Sequence, residues 1–191
     1  MKSKYSITAV IMFLFLCLSF PLDVSAHSSS VCNPGSESKG WKVRCNGHGG
    51  DDRGIVLYNT SGLSSKYLGY AETGASRWNS TGLISFYKNS FTSNKVQTYR
   101  NADDGYNAYV RVWFNFSHIT KWEMNFNTAA MGSRTDAANR GTATHEFGHT
   151  VGLLDLYDSS NKNKILYGYG NTRTVTTPQA ADKTGMKEAL K

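Results

Sequence analysis

Hydrophobic residues from Gly54 onwards follow two different periods. Ile55-Val56-Leu57-Tyr58 is a short apolar run that a polar, glycine-containing stretch ends, which predicts a strand followed by a turn. In residues 64–79 the apolar positions recur at steps of three and four, which predicts an amphipathic helix with Ser64 or Ser65 as its N-cap. These apolar positions are Tyr67, Leu68, Ala71, Ala75 and Trp78.

Strand-like patterns dominate the middle of the chain. The segments are Leu83 to Tyr87, Lys95 to Tyr99, Ala108 to Phe116 and Trp122 to Asn127, the last two with clear alternation. A polar loop is predicted over 128–139, then a helix that begins near Arg140 to Thr142, and a final helix over 178–190 with Thr177 as N-cap. The order of elements predicts an α+β fold with a mixed β-sheet, a central helix and a C-terminal helix.

The first 26 residues have the pattern of a secretory signal peptide. Lys2 and Lys4 precede an apolar run shorter than the roughly 20 residues that cross a bilayer, and Val24-Ser25-Ala26 follows as a small-residue cleavage site. A lipid anchor at Cys17 is disfavoured because the bulky Leu16 precedes it. We therefore expect a secreted, extracellular protein without a stable membrane anchor, and one domain over 54–191 after an N-terminal extension over 27–53.

Net charge and cysteine content indicate which partners and which covalent bonds to expect. The formal net charge is +7, but the basic residues are scattered among polar ones and not interleaved with aromatic residues, so we expect no nucleic-acid partner and a monomer. Beyond the signal peptide only Cys32 and Cys45 remain, and an even pair in an exported chain predicts a disulfide. The alternative is that one thiolate caps a metal and keeps the protein latent.

The stretch His145-Glu146-Phe147-Gly148-His149 carries the candidate chemistry. Residues four apart share one face of a helix, so both imidazoles can reach one ion, and zinc accepts such nitrogen ligands. Gly152 can end the helix in a left-handed turn and bring Asp155 back as a third ligand, leaving one position for water and Glu146 as its base. The alternative is an ordinary amphipathic helix with polar residues on its surface.

These positions resemble the signature of the metzincin zinc endopeptidases, His-Glu-x-x-His-x-x-Gly-x-x-His, in the variant that ends in Asp. The Asp variant is similar to that of the snapalysin-like secreted bacterial proteases. The residues His-Glu-Phe-Gly-His, followed by Gly-Leu, are also similar to those of the matrixins. The resemblance implies a zincin-like fold and one catalytic zinc held by His145, His149 and Asp155. It also implies that Glu146 takes a proton from the water at the metal during peptide hydrolysis and returns it to the leaving amine.

The family has a methionine turn beneath the metal, and the matching stretch here is Ile165 to Tyr169, with Leu166 in the methionine position. An apolar residue of similar size can pack there, since the methionine does not bind the metal. Met186 is the other candidate, although its place in the last helix favours a role in the core. Tyr167 or Tyr169 could donate to a developing oxyanion or simply form a wall of the substrate pocket.

Together these features predict a secreted zinc metalloendopeptidase that binds a protein or peptide substrate in extended form along a sheet edge. The alternatives are a non-peptidase zinc hydrolase and a secreted binding module in which zinc is structural. Calcium is a further possibility at Asp51-Asp52 and Asp103-Asp104-Gly105, although such pairs are common in turns and lack a full ligand set.

Overall fold

The computed structural model describes residues 32–49 and 54–191, so the predicted signal peptide and the Asp51-Asp52 pair lie outside the described residues. The described part is a mixed α+β fold, as the order of elements predicted. Its strands are β1 (Gly35–Ser36), β2 (Trp41–Lys42), β3 (Ile55–Tyr58), β4 (Ser85–Lys88), β5 (Lys95–Tyr99), β6 (Ala108–Asn115) and β7 (His118–Asn127). Its α-helices are α1 (Ser65–Asn79), α2 (Thr128–Gly132), α3 (Asp136–His149) and α4 (Ala180–Ala189).

Strand β6 lies at the edge of a three-stranded sheet. Strands β3 and β4 pair in parallel, while β5, β7 and β6 form a three-stranded sheet in that order. In this sheet β5 is parallel and β6 antiparallel to β7. A parallel bridge between Asn59 and Lys95 links the two sheets. Only one side of β6 is therefore paired with a strand in the described part of the chain.

The predicted helix after the first strand is confirmed as α1, with Ser64 at its N-cap. Its apolar face packs on α3, and the Trp78 indole donates a 2.7 Å hydrogen bond to the carbonyl of Thr144. The two helices approach most closely at Gly74, where a Cβ atom would lie 2.8 Å from both the backbone of Ala143 and the ring of Phe147. This contact fixes α3 against the rest of the core.

Several predicted boundaries were wrong. The helix with the His-Glu motif begins at Asp136, before the predicted 140–142, because the Thr135 side chain caps it by accepting from the Ala138 amide. The preceding segment, predicted as a polar loop, contains α2, whose N-cap is Asn127. Strand β7 begins at His118 because it forms a hairpin with β6, whereas the sequence predicted Trp122.

The last helix also begins later than predicted, at Ala180 with Gln179 as N-cap in place of Thr177. Asp182 determines this start, because its carboxylate accepts a 2.8 Å hydrogen bond from the Gln179 amide. No helix of the described ranges is both long and apolar enough to cross a bilayer.

The predicted disulfide between Cys32 and Cys45 is confirmed, with the two Cα atoms 5.5 Å apart. It closes a segment that contains the antiparallel β1–β2 pair. Trp41 of this segment is buried against Gly185 of α4. The predicted extension is therefore packed on the rest of the protein over its described residues.

We expect Gly74→Ala to lower the free energy of unfolding by about 1–3 kcal/mol, because a methyl group at the α1–α3 contact overpacks the core. The matched control is Gly69→Ala on the same helix, where a Cβ atom would meet nothing within 4 Å. That substitution should stabilise the protein by about 0.5–1 kcal/mol through helix propensity. Urea unfolding of both variants measures the difference, and equal effects would contradict the close contact.

Candidate metal centre and cleft

Helix α3 presents its two histidines at its C-terminal end. His145 and His149 are one turn apart, and their Nε2 atoms lie 3.0 Å from each other. Each ring is fixed by its other nitrogen: Nδ1 of His145 is 2.8 Å from the carbonyl oxygen of Ile165, and Nδ1 of His149 is 2.7 Å from that of Leu153. A carbonyl can only accept, so both Nδ1 atoms carry a proton, and in the neutral rings both Nε2 atoms present lone pairs.

The chain turns back beneath the helix at Gly152, as the sequence predicted. This residue has φ 96°, a conformation that side chains disfavour. A Cβ atom there would also lie 2.9 Å from Gly47 O and from the Cα of His48, so the turn has no room for one. The turn brings the Asp155 carboxylate to the histidines.

Asp155 completes a cluster of three ligand atoms. Its Oδ1 lies 3.1 Å from Nε2 of His145 and 3.6 Å from Nε2 of His149. One ligand atom from each residue lies within 4.8 Å of the others, and no second group of this kind occurs in the described ranges. Oδ1 is buried and, with neutral imidazoles facing it, has no hydrogen-bond partner among the described residues. The structure thus brings together the three residues that the sequence selected, and they could hold a metal ion.

The charges of this cluster are strongly coupled. Burial lowers the pKa of His145 to about 4. At His149 the neighbouring carboxylates of Asp155 and Glu146 outweigh burial and raise the pKa to about 9. Burial of Asp155 is likewise outweighed by the two imidazoles, which hold its pKa well below the ordinary value. The cluster therefore favours one added positive charge at its centre.

Glu146 lies in the same cleft and is 4% exposed. Its Oε2 atom is buried and has no hydrogen-bond partner among the described residues. Burial raises its pKa to about 7, against the opposing effect of His149 and Arg173. A carboxylate in this environment can exchange a proton near neutral pH.

The predicted turn at Leu166 lies beneath α3, where the Leu166 side chain packs against Gly148. The carboxylate of Asp182 in α4 accepts hydrogen bonds from the amides of Ile165 and Leu166, at 3.0 and 3.3 Å. No local sequence pattern indicated this role of Asp182, because Ile165 and Leu166 precede it by 17 and 16 positions. Met186 is fully buried in α4, in agreement with the predicted core role.

The N-terminal segment holds the loop that carries Asp155, which the sequence did not indicate. Lys42 donates through Nζ to the carbonyl of Asp155 at 3.2 Å, and its own carbonyl accepts from Leu154. Glu37 accepts from the amides of Tyr157 and Asp158 at 3.1 and 3.2 Å. Because these partners are more than a hundred positions apart, no local pattern could reveal them.

A cleft of about 490 Å³ opens above the cluster. Residues of β6 form one wall, and Tyr157, Tyr169 and Arg173 contribute to its lining. Tyr169 is exposed whereas Tyr167 is buried, so only Tyr169 of the two predicted tyrosines lines the cleft. Tyr157, which the sequence analysis did not select, donates through its hydroxyl to Oδ2 of Asp155 at 3.1 Å.

Asp104 of the proposed calcium stretch accepts hydrogen bonds from the Tyr99 hydroxyl and the Asn127 amide group. These contacts account for the turn without an ion. Calcium binding there stays a prediction.

No protein-family model matches the chain, and comparison with curated proteins gives no match either. Among solved structures, the chain is similar to a chain of a structure described as "GM1 bound form of the ECX AB5 holotoxin". The TM-score is 0.54 at 14% sequence identity, and the alignment covers 82% of this chain and 91% of that chain. At this identity the likeness shows a similar fold and nothing about activity.

We expect Gly152→Ala to lower the free energy of unfolding by more than about 2 kcal/mol, since it adds steric overlap to an unfavourable backbone conformation. The control is Gly62→Ala, which has a similar φ of 91° but open space around the added Cβ. That substitution should lower the free energy of unfolding by only about 1–2 kcal/mol, which is the cost of the left-handed backbone conformation for alanine. Urea unfolding in the presence of a chelator compares them, and equal losses would argue against the close approach of the His48 segment.

Proposed function

We propose that this protein is a secreted, metzincin-like zinc endopeptidase. One observation carries the proposal: His145, His149 and Asp155 converge in a cleft, and Glu146 lines the same cleft with a buried, unpartnered carboxylate oxygen. The disulfide between Cys32 and Cys45 supports export to an oxidising compartment. The similarity in fold to the holotoxin chain does not bear on the activity.

The three ligand residues fit zinc. Two imidazole nitrogens and one carboxylate oxygen are among its usual ligands, and catalytic sites typically use three protein ligands with one open position. The carbonyls of Ile165 and Leu153 orient the imidazoles, as outer partners do in such sites. When bound here, zinc would supply Lewis acidity toward the scissile carbonyl and toward a water molecule.

Glu146 is the residue that moves the proton in this proposal. Its buried Oε2 accepts a proton from the attacking water and later delivers it to the departing amine, so one carboxylate serves as base and then as acid. A divalent cation beside Glu146 favours its charged form and opposes the effect of burial on its pKa. The retained carboxylate distinguishes this site from a purely structural zinc site.

Strand β6 is the proposed platform for the substrate. Ala108, Tyr109, Val110 and Val112 of this edge strand line the cleft. An extended peptide can add to such an edge through backbone hydrogen bonds, which favours a protein or peptide substrate over a compact molecule. This edge favours a peptide substrate, whereas the monomeric state and the absence of a nucleic-acid partner stay predictions.

The mature chain should bind one zinc ion, measured by elemental analysis after dialysis, and zinc should raise its melting temperature by mass action. Asp155→Asn should weaken zinc binding by more than about tenfold, since even outer partners of metal ligands contribute about 10- to 100-fold. Asp158→Asn is the matched control, because asparagine preserves its N-cap role. Equal zinc affinity in the two variants would exclude Asp155 as a ligand.

Zinc-loaded protein should cleave casein or an unstructured peptide, and a chelator should abolish cleavage. Glu146→Ala should keep its zinc but lose about 10²- to 10⁴-fold in kcat, the usual contribution of a positioned acid–base group. Glu72→Ala, at an exposed ion pair on α1, should retain activity. Full activity of Glu146→Ala would overturn this mechanism.

The same assays separate the two alternative functions. Cleavage of small esters or amides with no cleavage of peptides would assign a non-peptidase zinc hydrolase. Stoichiometric zinc without turnover of either substrate class would assign a binding module with a structural zinc.

A further inference from the structure

A second recess adjoins the cleft and has two arginines in its walls. It has a volume of about 360 Å³, and both Arg134 and Arg173 line it. Arg173 and Gly170 line both the recess and the cleft, so the two spaces are neighbours at these residues. The recess therefore adjoins the place where the proposed catalytic residues lie.

Arg173 is partly buried and retains unused hydrogen-bond donors. Its Nη1 atom donates to the carbonyls of Ile165 and Tyr167, at 3.1 and 3.2 Å. Its Nη2 atom lies near Gly141 and Gly170 on the recess wall and has no hydrogen bond within the described ranges. No carboxylate of the described residues is within ion-pair distance of this guanidinium.

Arg134 adds a second positive charge to the same space. Its Nη1 atom donates to the Thr142 hydroxyl at 2.9 Å, and its Nη2 atom is 3.5 Å from the carbonyl oxygen of Gly170. It too lacks an ion pair in the part of the chain that the structure describes. Two partly buried guanidinium groups held by neutral acceptors have lost hydration without a carboxylate at ion-pair distance, although Glu146 attracts Arg173 from further away.

The electrostatic interaction between the two arginines is unfavourable. The pKa of Arg173 is lowered to about 10, mainly by burial; Glu146 opposes this shift, and Arg134 contributes to it. The group still carries its charge at neutral pH. A ligand carboxylate between the two side chains would relieve the repulsion and match the planar donor geometry of a guanidinium.

We propose that the two-arginine recess, lined by Arg134 and Arg173, binds an acidic side chain of the peptide substrate next to the scissile bond. This inference rests on the proposed endopeptidase function and adds a substrate preference to it. The rest of the lining favours a polar ligand group, because it includes four further polar residues: Ser133, Thr135, Asn171 and Thr176. A carboxylate at the C-terminus of a peptide has the same chemistry, so the test separates the two sources.

The experiment uses pairs of amidated peptides that differ only in glutamate or glutamine, placed in turn at each position around the cleavage site. A third set carries glutamine throughout and a free C-terminal carboxylate. At one position wild-type protein should cleave the glutamate peptide at least about tenfold more efficiently by kcat/KM, as expected for a charge-assisted hydrogen bond. A gain that follows only the free C-terminus would overturn the assignment to a side chain.

Arg134→Gln should reduce the glutamate-to-glutamine ratio to less than about threefold, and Arg134→Glu should reverse it. Arg173→Lys, which keeps the charge but loses the planar donors, should give an intermediate ratio. Arg140→Gln is the matched control, since this exposed arginine of α3 donates to Thr73 of α1 and does not line the recess. The ratio compares two peptides on one preparation, so partial unfolding of a variant cancels.

Binding is measured in parallel, by fluorescence anisotropy of the same peptides on Glu146→Ala. A preference for glutamate in binding, without cleavage by the wild type, would support the recess and overturn the endopeptidase. Cleavage with a ratio near one at every position, or a ratio that Arg134→Gln leaves unchanged, would overturn the recess and leave the endopeptidase standing. Absence of both cleavage and binding preference would overturn both.

Discussion

Three hydrogen-bond acceptors that face one another in a buried cleft require a positive charge between them. The Nε2 atoms of His145 and His149 are 3.0 Å apart, and Oδ1 of Asp155 is 3.1 Å from the first. Backbone carbonyls on the far sides of both rings prevent either imidazole from turning its proton inward. A proton can satisfy this arrangement only in part, whereas a divalent cation can bind all three atoms at once. The surrounding elements hold the three groups together against their repulsion.

The sequence predicted the parts of the site that local geometry determines. The spacing of the two histidines follows from the helical repeat, and the need for a left-handed turn at Gly152 follows from the return of Asp155. The helix α1 was also predicted closely, because its apolar period is clear, and strand β5 has its predicted range. Boundaries were missed where a side-chain cap or a hairpin partner determines them, as at Thr135 and His118.

Contacts between distant parts of the chain could not be predicted in this way. The support that Asp182 gives to the Leu166 turn depends on how α4 packs, and the presence of Arg134 and Arg173 in one recess depends on how the loop after Gly170 folds back. The similar fold of the holotoxin chain does not supply these contacts either, since the same architecture can hold unrelated sites. The function must therefore be argued from the side chains of the cleft.

The disulfide-closed segment before β3 has a consequence for where the functional unit begins. Its backbone and side chains pair with groups on both sides of Asp155, through Arg44 to Gly152, Lys42 to Leu154 and Glu37 to Tyr157. A shortened protein that started at Gly54 would contain every residue of the His-Glu motif and its aspartate. It would nevertheless leave the Leu154 and Tyr157 amides and the Gly152 carbonyl without these partners. The fragment that keeps all of these contacts around Asp155 is thus longer than the motif-bearing region that the sequence alone delimits.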